Sequence, residues 1–113
     1  MQHCHTKVRT QFASKYLQQL CKHFAHKVEV EFDRTVGRVA FPGGLCLMLA
    51  EDDGLSFFGE AHAEEGVPRI KSVIDSHLIK FAWREDLSIE WQDGLPERLP
   101  VDRLPSLKEF TIQ

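Results

Sequence analysis

Three turn-forming stretches, Asp33 to Gly37, Pro42-Gly43-Gly44 and Asp52-Asp53-Gly54, divide the middle of the chain into four short segments. Asp, Gly and Pro so clustered favour tight reversals, and the segments between them then pair as an antiparallel meander. The first segment, Val28-Glu29-Val30-Glu31-Phe32, alternates strictly. Its three apolar side chains fall on one face and its two glutamates on the other, as in a strand with one solvated face. Arg38 to Phe41, Leu45 to Ala50 and Leu55 to Ala61 complete the meander.

On either side the period changes. From Phe12 to Lys27 the apolar residues Tyr16, Leu17, Leu20, Cys21 and Phe24 recur at steps of three and four, with Ser14 available as an N-cap, which predicts an amphipathic helix. A second stripe, Ile70, Val73, Ile74, His77, Leu78 and Phe81, begins just after Pro68 and closes near Arg84. Thr6 to Gln11 and Leu87 to Trp91 read as flanking strands. The order is therefore β-α-β-β-β-β-α-β, an α+β chain. Two helices with one apolar stripe each bury best on the same face of a curved antiparallel sheet, as a two-layer sandwich. By topology this resembles the TATA-binding-protein-like fold, from which DNA binding does not follow. Leu17, Leu20, Phe24, Ile70, Ile74, Leu78, Phe81, Val30 and Phe32 are expected to share one core. Residues 1–92 form a single domain in this reading. Residues 93–113, with Leu95-Pro96, Leu99-Pro100 and Leu104-Pro105, form a Leu-Pro extension that Leu107, Phe110 and Ile112 could anchor.

Composition removes several classes of function. The chain has 14 basic and 17 acidic residues, a formal charge of −3, so the electrostatic attraction that drives nucleic-acid binding is missing. Leu45 to Ala50, the longest nearly apolar run, is far short of the roughly 20 residues of a membrane helix. The opening residues lack the apolar core of a secretory signal. Three cysteines at spacings unlike any zinc motif suit reduced thiols, and a cytoplasmic location is expected.

The octapeptide from Leu20 to Lys27 holds Cys21, His23 and His26. At about 100° per residue, Cys21 and His23 lie on opposite flanks of the apolar stripe and His26 falls further round. The three cannot converge on one ion from a regular helix. Cys21 is expected to pack as a small hydrophobe and His26 to face solvent. His77 lies within the second stripe, where its ring needs a partner, and a backbone carbonyl or a neighbouring side chain would suffice. If the helices lie side by side, His23 and His77 can meet across the seam, either as packed boundary histidines or as ligands of a transition metal. Met1-Gln2-His3 has the amine, amides and third-position imidazole that wrap copper or nickel. On a mobile tail, that His3 site would be adventitious. No motif for nucleophilic catalysis or phosphate cradling occurs.

Ala13-Ser14-x-Tyr16-Leu17-x-x-Leu20-Cys21-x-His23-x-x-His26-Lys27 and His77-Leu78-x-x-Phe81-Ala82-x-Arg84-Glu85, within residues 6–92, resemble the bacterial domain of unknown function 2218. Members also resemble a module joined to siderophore-interacting, flavin-dependent ferric reductases. The resemblance implies a connection with iron acquisition and directs attention to Cys21, His23, His26, His77, Arg84 and Glu85. The leading expectation is a non-catalytic accessory or binding protein in iron or other transition-metal homeostasis. Two alternatives stand beside it: a small-molecule binder or small enzyme with a cleft around His77, and a structural module docking on a reductase.

Overall fold

The computed structural model describes residues 1–110. Six strands and two helices follow the expected order: β1 (Gln2–Arg9), α1 (Ala13–Phe24), β2 (Glu29–Phe32), β3 (Val36–Phe41), β4 (Gly44–Glu51), β5 (Gly54–Ala61), α2 (Gly66–Phe81) and β6 (Gln92–Asp93). The strands form one curved open sheet in the order β2-β3-β4-β5-β1-β6, with every neighbouring pair antiparallel. Because β1 lies beside β5, α1 carries the chain across the sheet to its far edge, and the meander then returns it. Both helices therefore lie on one face. Leu17, Leu20, Ile74 and Leu78 share a single core there with Val8, Val39, Met48 and Phe57 of the sheet.

Local differences from the sequence reading have identifiable causes. Ser14 does not cap α1; its hydroxyl donates to the Arg34 carbonyl at 2.6 Å, and Phe12 occupies the cap position. α1 ends at Phe24, and α2 begins at Gly66, ahead of Pro68. Proline is tolerated at that point because amides of a first helical turn have no intrahelical acceptor. Residues 87–91 do not join the ladder. Leu87, Ile89 and Trp91 still pack against the core, and the Glu90 carbonyl accepts from the Thr6 hydroxyl at 2.7 Å, so the alternation records burial without strand pairing. β1 starts at Gln2, earlier than expected: Cys4, Thr6 and Val8 alternate as its buried face, and the polar Thr6 masks that alternation in the sequence. Phe32, expected in the core, is 38% exposed at the end of edge strand β2.

The opposite sheet face is also apolar. Leu47, Leu49 and Phe58 form a second cluster with Leu104, Leu107 and Phe110 from beyond β6. Arg38 Nε and Nη2 donate to the Glu109 carboxylate at 2.9 Å, and Arg103 pairs with Glu51. Ile112 lies outside the described residues.

Candidate functional site

Helices α1 and α2 run antiparallel, and their seam brings His23 and His77 together with ring centroids 4.5 Å apart. Phe24 lies 5.3 Å from His77, and Phe81 lies 5.9 Å from His23. Both imidazoles are half-buried. His77 Nδ1 lies 2.7 Å from the Val73 carbonyl one turn earlier. A carbonyl can only accept, so Nδ1 carries the proton and Nε2 of the neutral ring keeps its lone pair. Burial lowers the pKa of His23, and unfavourable electrostatics from His77, Lys27, His26 and Lys80 lower it further.

The remaining sequence candidates fall elsewhere. His26 is exposed beside the seam. Cys21 is fully buried, its Sγ 3.9 Å from Met48 Sδ, on the sheet side of α1. Arg84 does not reach the imidazoles; its guanidinium lies 4.8 Å from the centre of the Trp83 ring in a cation–π contact. Glu85 accepts hydrogen bonds from the hydroxyls of Tyr16 and Thr10, which tie the end of α2 to the start of α1. Tyr16 and Thr10 were not among the sequence candidates. A signal for Tyr16 was present: it stands seven residues before His23, and Glu85 stands eight after His77. In antiparallel helices, a pair meeting at 23 and 77 places 16 near 85 two turns away.

His3 is not on a mobile tail. It belongs to β1, and its Nε2 lies 2.8 Å from Glu60 Oε2, with the Phe110 ring tilted against it at 5.6 Å between centroids. Wrapping copper with the first three residues would require Gln2 and His3 to leave their pairing with β5. Among the described residues, no three His, Cys, Asp or Glu side chains come together to hold a metal ion. The seam thus offers two imidazoles and no third such side chain among the described residues.

A cleft of about 330 Å³ adjoins the seam, between the β3–β4 turn and the first two turns of α2. Phe41, Pro42, Ile70 and Val73 line it, with Glu65 and Arg69 adding charge. Phe41 packs edge-on against Phe24 at 5.2 Å, and Val73 also holds His77, so cleft and seam share side walls.

The sequence model of a family described as an uncharacterized protein conserved in bacteria (DUF2218) matches residues 5–92. The fold is similar to the NMR structure of PA4090 from Pseudomonas aeruginosa. The two share 34% identity and a TM-score of 0.70, over 81% of this chain and 96% of that one. No curated protein matches the chain.

Proposed function

We propose, from the premise that this chain belongs to the bacterial family DUF2218, that it is a non-catalytic binding protein that holds a transition metal, iron foremost, at the His23–His77 seam. One observation carries this reading: two half-buried imidazoles lie 4.5 Å apart, and a carbonyl behind His77 orients its free nitrogen away from the helix backbone. Metal-bound histidines are held in the same way, by a carbonyl or carboxylate that accepts from the ring nitrogen facing away from the metal. Calorimetric titration with ferrous, zinc and cupric ions, with haem and with ferric citrate tests it. Uptake of one of these should be abolished by His23→Ala and by His77→Ala, with the fold retained by circular dichroism, and reduced less by His26→Ala. Failure of the wild-type chain to bind any of the five would overturn the reading.

The cleft beside the seam favours a second reading, a binder of small apolar molecules. Its volume and apolar walls match those of ordinary ligand sites. In that case Ala63→Trp at the cleft wall should block uptake of an apolar ligand, whereas His23→Ala should not.

A further inference from the structure

The charges around the seam bear on what can enter it. His23 and His77 meet with ring centroids 4.5 Å apart, His26 and Lys27 follow in the hydrogen-bonded turn that closes α1, and Lys80 lies three residues beyond His77 in the last turn of α2. Upstream of Glu29 the chain contains no acidic residue. On α2 the single acid is Asp75, which accepts from Trp91 Nε1 at 2.7 Å, and Glu85 is engaged by Tyr16 and Thr10. Lys27 and Lys80 take part in no ion pair among the described residues. A bare divalent cation approaching the two imidazoles would meet charges of its own sign with no carboxylate to offset them. An anion would meet two free ammonium groups, a charge-assisted setting.

We propose that the seam is an anion site: it takes a ligand bearing several carboxylate or phosphate groups, and a metal enters only inside an anionic complex whose own donors fill most of its coordination sphere. This rests on the reading of the seam as the binding site. His23 and His77 contact the bound species, and Lys27 and Lys80 supply the charge that selects it.

Four probes, each titrated calorimetrically into the full chain, test the proposal: zinc chloride, inorganic phosphate, citrate and ferric citrate. Ferric citrate should bind and zinc chloride should not. The double variant Lys27→Glu/Lys80→Glu should weaken ferric citrate by about tenfold or more at low salt, since each reversal replaces an attraction with a repulsion. Both lysines are exposed and unpaired, and circular dichroism checks that this variant is folded. If zinc chloride binds more tightly than ferric citrate and the double variant strengthens it, the anion site is overturned while the metal reading stands. If citrate or phosphate alone binds as tightly as ferric citrate, the anion site stands and the metal reading falls. If none of the four binds, both fall.

Discussion

Cys4, Cys21 and Cys46 all lie at zero exposure in the helical core. Burial raises the Cys4 thiol to about 11 and the Cys21 thiol to about 12, and pushes Cys46 well above its ordinary value. The thiolate is the reactive species, so Ellman's reagent at pH 8 should label none of the three in the folded chain and all three after denaturation. Fast labelling of Cys21 in the native state would contradict its role as a packed hydrophobe. Tyr16 is the single tyrosine, so its ionisation can be followed without overlap from another phenol. Burial, then the hydrogen bond to Glu85, raises it from 10.0 to about 12. Because the folded value lies above the unfolded one, this contribution to stability is complete below pH 10 and is lost as pH rises toward 12. Native phenolate absorbance should therefore appear well above pH 10, and Tyr16→Phe should abolish this part of the alkaline stability loss.

For the elements, the docking of α2 depends on one small residue. A Cβ on Gly66 would fall 2.5 Å from the Ala61 Cβ, inside contact distance. Propensity alone predicts that Gly66→Ala would gain up to about 1 kcal/mol of helix stability. Overpacking should outweigh that gain, leaving a net loss of roughly 1 to 3 kcal/mol in urea denaturation. Adding Ala61→Gly should recover part of it, because it removes the opposing atom. A stabilised Gly66→Ala variant would show that α2 docks less closely than described. At α1 a similar close approach occurs, where a Cβ on Gly37 would lie 2.8 Å from Cys21 Sγ, and the helix rests directly on β3.

On the scale of the whole molecule, the sheet is covered on both faces. Every residue of β5 is buried, which the helices alone could not achieve. Leu107 is fully buried against the face opposite the helices. Leu107→Ala should therefore destabilise by roughly 2 to 5 kcal/mol, comparable to Leu20→Ala or Leu78→Ala in the helical core. An unchanged urea midpoint would mean that residues beyond β6 lie on the sheet without contributing to its stability.

The order of strands and helices, the antiparallel meander and the placement of both helices on one face were legible in the sequence because each rests on a local rule. Turn residues reverse the chain, period 2 marks a strand, and period 3.6 marks a helix face. The separation of Cys21 from His23 around α1, the exposure of His26 and the need of His77 for a hydrogen-bond partner followed from the same geometry. Other features depended on residues distant in sequence. Thr6 is buried in β1 because the Glu90 carbonyl, 84 residues away, accepts its hydroxyl. His3 is held by Glu60, and Glu85 collects Tyr16 and Thr10. Local pattern cannot reveal such pairs, because a buried polar group is stabilised by whichever partner the assembled fold brings within reach. The same holds for the cationic seam. Lys27 and Lys80 look like ordinary solvated lysines in the sequence, and only the antiparallel packing of α1 on α2 gathers them around the same imidazole.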